Sequence, residues 1–259
     1  MAIRQSTGLR NFIAQQGSYK KALEGGVLKI YTGSQPASAD SAVAGTLLCT
    51  CTLASGARTD EIRSCGTVTL AGTGGSVTAL VVDAIEILGA TIAFTSDLTT
   101  TAALIAAQIN SYQSVPKYEA TSAAAVITIK AMPGTGTGPN GKDVTTTLTG
   151  MTVTDANMGA GGAAAAGVAG VNGLPLGQVV AGVLSKAAGV WSGTNAAGGT
   201  AGCFRLCGTE VDANGTSTTL LRLDGAIATS GSDLNVASTT LTLGATFTVD
   251  QFDVTIPAA

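Results

Sequence analysis

The sequence predicts a mainly β protein: an antiparallel β-sandwich or jelly-roll-like body formed by both chain ends, with a small α+β domain inserted. Three observations point there. Residues 200–257 break into short runs of β-formers, at 200–208, 221–227, 241–249 and 252–257, each bounded by Gly, Asn, Asp or Ser. Glycine is frequent, at 35 of 259 residues, and aromatics make up only 4%, so turns are many and the core rests on small side chains. The Gly/Ala-rich run 159–170 separates two stretches of different character.

In chain order, Leu9, Phe12 and Ile13 fall at i, i+3 and i+4, one face of a short helix. Gly17 interrupts it, Ser18 caps a second turn running through Leu23, and Gly25-Gly26 stops that turn. Residues 27–31 read as a strand, 33–40 as a loop and 45–53 as another strand. From about Cys65 the pattern changes. Strands are expected over 66–70, 77–82, 85–88 and 91–94. A helix over 99–111 follows, with Ser96 or Asp97 as its cap and Leu98, Ala102, Ile105 and Ile109 on one face. Strands come next at 118–121 and 126–130, with one or two more within 143–153. Beyond the Gly/Ala connector the β pattern resumes over 178–184 and 189–193. The expected organisation is a discontinuous body of residues 1–62 and 164–259. The insert, residues 63–163, is long enough for its own small core.

Charged residues are sparse, at 11%, and unevenly placed. Arg4, Arg10, Lys20, Lys21 and Lys29 against Glu24 give residues 1–30 a charge of +4, so with −3 overall the remainder carries −7. A basic arm suits docking on an acidic surface; the alternative is a solvated helix face. Arg4, Leu9, Arg10, Phe12, Ile13, Lys20 and Lys21 form the candidate anchoring arm. This charge falls far short of the dense basic patch that nucleic-acid binding needs. The N-terminus lacks the apolar core of a signal peptide. The most apolar window, 77–94, contains Asp83, Glu86 and Gly89 and is too polar for a membrane span. Neither nucleic acid nor membrane is expected as a partner.

With no histidine in the chain, Ser-His-Asp and Cys-His arrangements are excluded. Asp60 with Glu61, and Asp250 with Asp253, read as solvated turn residues rather than a glycosidase pair. Residues 136–142 satisfy Gly-x-x-x-x-Gly-Lys, the start of a phosphate loop. Asp143 then stands where Ser or Thr would hold magnesium, and β-formers follow instead of a helix, so a loop tip is expected. Cys49 and Cys51 share a strand face, as do Cys203 and Cys207 on a regular strand. Without a Cys-x-x-Cys pair or histidine, zinc is not expected. Cys49, Cys51, Cys65, Cys203 and Cys207 read either as small buried hydrophobes or as disulfide partners within or between subunits. Asn214-Gly215 is a hairpin-turn signal, and Trp191, the sole tryptophan, a core anchor. No catalytic, cofactor or metal residue is assigned, and no enzymatic turnover is expected.

Two groups of residues carry a resemblance. The first runs Thr7-Gly-Leu-Arg-Asn-Phe-Ile-Ala, then Gly26-Val-Leu-Lys-Ile-Tyr through Asp40, then residues 45–56. The second is Val190-Trp-Ser-Gly, Gly199-Thr-Ala-Gly-Cys-Phe-Arg-Leu, residues 223–234, and Gly244-Ala-Thr-Phe-Thr-Val through Pro257. Together they resemble a family of tailed-bacteriophage virion structural proteins, over residues 1–57 and 172–259. The resemblance implies that the two parts are contiguous in shorter relatives. The insert, with its Ala-Ala-Leu-Ile-Ala-Ala-Gln-Ile-Asn helix and Gly-Thr-Gly-Pro-Asn-Gly loop, is similar to small domains of other phage structural proteins. The implied role is a capsid decoration or cement protein in the virion, assembled in the bacterial host cytoplasm. Its partners would be copies of itself and the major capsid protein or another virion protein. The alternative is a tail, collar or fibre-associated protein whose insert contacts a receptor or glycan.

Overall fold

The structure is a computed structural model that describes residues 3–255, Gln16 by its backbone alone. Strand makes up 41% and helix 11%, so the protein is mainly β, with several antiparallel sheets. The chain divides into a body, Met1–Glu61 with Gly170–Ala259, and an insert, Ile62–Ala169.

The body begins with β1 (Arg4–Gln5), α1 (Thr7–Gln16), α2 (Tyr19–Leu23), β2 (Val27–Thr32) and β3 (Leu47–Leu53). Ser6 starts α1 by accepting from the Leu9 amide at 3.0 Å, and Gly17 ends it at φ 79, a left-handed conformation that costs glycine little. The Ser18 hydroxyl accepts from the Lys21 amide at 3.3 Å and starts α2.

The insert contains β4 (Cys65–Ala71), β5 (Ser76–Val82), β6 (Ile85–Glu86), β7 (Ile92–Ala93), α3 (Leu98–Ser111), β8 (Tyr118–Ala123), β9 (Val126–Ala131), β10 (Val144–Thr149) and β11 (Thr152–Ala156). One sheet runs β11-β4-β9-β8; the other runs β10-β5-β6, with β7 also on β5. Ala102, Ile105 and Ile109 of α3 join Val68, Leu80, Ile127 and Ile129 in one core. Asp97 caps α3, accepting from the Thr100 amide at 2.8 Å. At the other end the buried Lys117 ammonium donates to the carbonyls of Ile109 and Asn110, at 2.9 Å each, and of Tyr112. A cation on orphan helix carbonyls also meets the negative end of the helix dipole.

The Gly/Ala run does not behave as a loose connector. Asn140 donates to the Gly167 carbonyl at 2.9 Å and accepts from its amide at 2.7 Å. Ala164 is buried, and Val168 bridges Ile62. These contacts use backbone groups, which small residues supply as well as large ones. This run accordingly stays with the insert as far as Ala169, rather than returning to the body at 164.

The body resumes with β12 (Leu176–Val180), β13 (Val183–Lys186), β14 (Trp191–Thr194), β15 (Gly199–Cys207), β16 (Arg222–Ala228), β17 (Leu234–Asn235), β18 (Thr240–Leu241), β19 (Thr246–Val249) and β20 (Asp253–Thr255). Among the described residues its main sheet has nine strands, in the order β1-β16-β15-β2-β3-β14-β19, with β17 on β16 and β18 on β15. A second sheet runs β12-β13-β20. Pairing is antiparallel except between β16 and β17. Two expected single strands are each split in two: 178–184 is a hairpin that turns at Ala181 (φ 50) and Gly182 (φ 77), and 241–249 divides at Gly244 (φ 78) into β18, which pairs β15, and β19, which pairs β14. Nor do the four runs of 200–257 pair in succession. β15 and β16 do, but β19 pairs β14 and β20 pairs β13. Ile256 and Pro257, the end of the last expected run, lie outside the described residues.

Register places Leu28, Ile30, Cys49, Cys51, Trp191, Phe204, Leu206 and Leu223 on one face of the main sheet. Leu176, Leu184 and Val254 of the second sheet are buried as well. Phe252, leading into β20, packs with Trp191 at 5.4 Å between centroids and edge-on to Phe204 at 5.5 Å. These three rings join the two layers of the sandwich, each burying on the order of 150–250 Å².

Candidate functional site

The other face of the main sheet is also buried, and it is polar. Strand alternation puts Tyr31, Cys203, Arg205, Cys207, Arg222 and Asp224 on this side. Arg205 and Asp224 stand opposite each other in the β15–β16 ladder and form a forked pair, Nε to Oδ1 at 2.8 Å and Nη2 to Oδ2 at 2.7 Å. Arg222 forms a second fork with Asp212, Nε to Oδ2 at 2.6 Å and Nη2 to Oδ1 at 2.7 Å. Arg205, Arg222 and Asp224 are 0% exposed and Asp212 9%. Charges this deep persist only when paired and fully hydrogen-bonded.

The remaining guanidinium donors reach loop carbonyls. Arg205 donates to Ser41 O at 2.8 Å, Ala39 O at 3.2 Å and Asn214 Oδ1 at 3.1 Å. Arg222 donates to Gly215 O at 2.7 Å. Asn214 in turn holds the amide and carbonyl of Val43, both at 2.9 Å. Loops 33–46 and 208–221 are therefore fastened onto the sheet. The N-terminal segment is fastened at the same place. Ser6 Oγ accepts from the Arg222 amide at 3.1 Å and donates to Leu220 O at 2.7 Å. Asp40 accepts from the Thr7 amide at 2.7 Å and hydroxyl at 2.6 Å.

The two forks differ electrostatically: burial raises the Asp224 carboxyl above its ordinary value of 3.8 despite the bonds and charge of Arg205. Burial pushes the Asp212 carboxyl up, but the bonds from Arg222 and the Asn214 amide outweigh it and hold the group below its ordinary value of 3.8. Burial, with the Asp212 charge beside it, pushes the Cys207 thiol up to about 12. Burial, with Asp224, pushes Cys203 to about 11. Neither is a thiolate near neutrality, so neither is an activated nucleophile.

The expected anchoring arm is not a detached arm. Leu9 and Phe12 are core residues and Ile13 is half-buried. Arg4 donates to Pro36 O and, at 3.4 Å, to Gln35 O, and β1 pairs β16. Lys20 pairs with Glu24 at 3.1 Å and donates to Leu176 O. Arg10 is exposed and donates to Thr7 Oγ1 at 3.0 Å; Lys21 is exposed as well. The physical reason is the apolar face of α1, which a short sequence in water buries whenever a sheet is at hand.

All five cysteines are buried, and none is joined in a disulfide. Cys49 and Cys51 lie with sulfurs 4.0 Å apart on the apolar face, opposite to Cys203 and Cys207, while Cys65 belongs to the insert. The phosphate-loop look-alike leads into β10, and Lys142 pairs with Asp83 at 2.6 Å. Asn214 adopts φ 64 as a turn residue does, but it sits in the long loop between β15 and β16, not in a two-residue hairpin. Of the carboxylate pairs, Glu61 is buried and hydrogen-bonded to Thr209 rather than solvated, and Asp60 pairs with Arg58 at 3.1 Å. Asp250 is exposed, and Asp253 accepts from Gln251 at 2.6 Å.

Sequence reasoning missed Arg205, Arg222, Asp212 and Asp224. The signal was present: Phe204-Arg-Leu and Leu221-Arg-Leu-Asp-Gly put charges inside strands with apolar neighbours, which calls for buried partners.

Two open grooves mark the body's surface. One, of about 400 Å³, is lined by Gln5, Tyr19, Asp233 and Asp253 among others. The other, of about 360 Å³, lies beside β19 and is lined by Asn195, Asn235, Ser238, Phe247 and Asp250 among others. Neither places a nucleophile beside a base. Among the described residues no cluster of three or more His, Cys, Asp or Glu could hold a metal ion, and no helix is long and apolar enough to cross a membrane. Comparison with protein-family models, with curated proteins and with solved structures finds no match for this chain.

Proposed function

We propose that this chain is a structural protein of a tailed-bacteriophage virion, a capsid decoration or cement protein that binds the shell and copies of itself. One observation supports the reading most. Residues within the segments that carry the sequence resemblance, Thr7, Asp40, Arg205 and Asp224, come from both chain ends and converge on one buried platform. Their chemistry is used up in fastening loops to a sheet. Such residues specify a body rather than a reaction, so the likeness speaks for shared architecture and shared assembly. The insert enters the chain between Glu61 and Gly170, as a unit spliced into a loop would.

The test is reconstruction of the encoding phage, with and without this gene. Ordered copies on the head that vanish with the gene support the decoration role. Density on the tail, collar or fibres replaces it with the tail-associated alternative. Absence of the chain from purified particles overturns both.

A further inference from the structure

The second sheet of the body ends at β12, whose outer edge has no partner strand among the described residues. At Leu176 that edge is covered: the amide donates to Glu24 Oε2 at 3.1 Å and the carbonyl accepts from Lys20. Beyond it, Gln178, Val179 and Val180 run exposed to the hairpin turn, Val179 at 43% and Val180 at 69%. Adjacent valines point to opposite faces, so both sides of this edge are apolar. Natural proteins blunt a free edge with charge, proline or a bulge. Here β12 has a register irregularity between Leu176 and Val179, but its exposed end is regular, paired Val179 to Leu184 and Val180 to Val183.

Charge identifies the occupant. No Asp, Glu, Lys or Arg occurs between Asp155 and Lys186. In an antiparallel edge contact around a two-fold axis each residue meets its own copy or a near neighbour of it. A charged edge would repel itself there, and an uncharged one does not.

We propose that two copies of this chain pair antiparallel through the exposed end of β12, joining their second sheets into one six-stranded sheet across a two-fold axis. This rests on the assembly reading above and supplies its self-association contact.

The test uses the full chain in sedimentation equilibrium. Wild type is expected to dimerise reversibly. Val180→Lys places two like charges at the contact and should weaken the dimer at least tenfold, whereas Val180→Thr should leave it within about threefold. Unchanged circular dichroism and melting temperature confirm that the variants fold. Among Gln178→Cys, Val179→Cys and Val180→Cys, at least one should form a covalent dimer on mild oxidation, and Ser34→Cys, exposed elsewhere, should not. A wild type that stays monomeric at all concentrations overturns the proposal, as does a dimer indifferent to Val180→Lys. Incorporation into virions, scored separately, tells these failures from failure of the assembly reading: a β12 contact can be absent from a protein that still decorates particles.

Discussion

Replacing Arg205 by methionine should come close to unfolding the body. The side chain keeps most of its volume but loses both bonds to Asp224, at 2.7 and 2.8 Å, and those to Ala39, Ser41 and Asn214. Asp224, 0% exposed, is left as a buried charge without its partner. Breaking a buried pair from one side costs about 3–5 kcal/mol. Each orphaned carbonyl adds up to about 1–3 kcal/mol, and these terms overlap rather than sum. Against a total stability of about 5–15 kcal/mol, a loss of about 4 is a large share. Asp224→Leu alone should be of similar severity. The double variant removes both charges and should lose about 2 kcal/mol or more less than the two singles added, because the unpaired charge is gone. Urea unfolding followed by Trp191 fluorescence measures this, since the sole tryptophan lies in the body core. A loss below about 1 kcal/mol for Arg205→Met, or strict additivity in the double variant, would refute the platform argument.

The other predictions concern separate features. Lys117→Met orphans the carbonyls of Ile109, Asn110 and Tyr112 and should destabilise the insert by about 2–3 kcal/mol; amide exchange in α3 that does not accelerate would contradict it. The five thiols should be inert to a thiol reagent in the native protein and all titrate after denaturation without reductant; fewer than five would reveal a disulfide. Acid should weaken the body. Asp212 and Asp40 both sit below 3.8 when folded, so the stability they contribute is complete above that pH and fades as pH falls through their lower folded values; Asp224, raised by burial, acts with the opposite sign at higher pH, so the loss is read at the acid end. An acid unfolding curve whose midpoint does not move in Arg222→Met would argue against this origin.

Much of the fold was legible because it depends on neighbours in sequence. Ser18 caps α2, Asp97 caps α3, and Ala102, Ile105 and Ile109 face the insert's core, all through contacts set by helical spacing. Strand positions such as β2 and β9 likewise followed from their β-branched and aromatic runs. Strand partners did not follow. The pairing of β19 with β14, or of β20 with β13, joins segments far apart, and no local pattern encodes it. The packing of the N-terminal segment was hidden for the same reason. The amphipathic face of α1 was evident, but where that face would be buried was not.

From the sequence alone came a mainly β chain, interrupted by a small α+β unit, with few charges and no histidine. Those are properties of composition and short-range periodicity, and they hold whatever the strands do. Tertiary structure alone decided that Ser6, Asp40, Arg205, Asp212, Arg222 and Asp224 meet on one buried face, and that the end of β12 is left open. Both depend on which strands are neighbours. The burial energy of whole sheets fixes that choice, and the preferences of single residues do not.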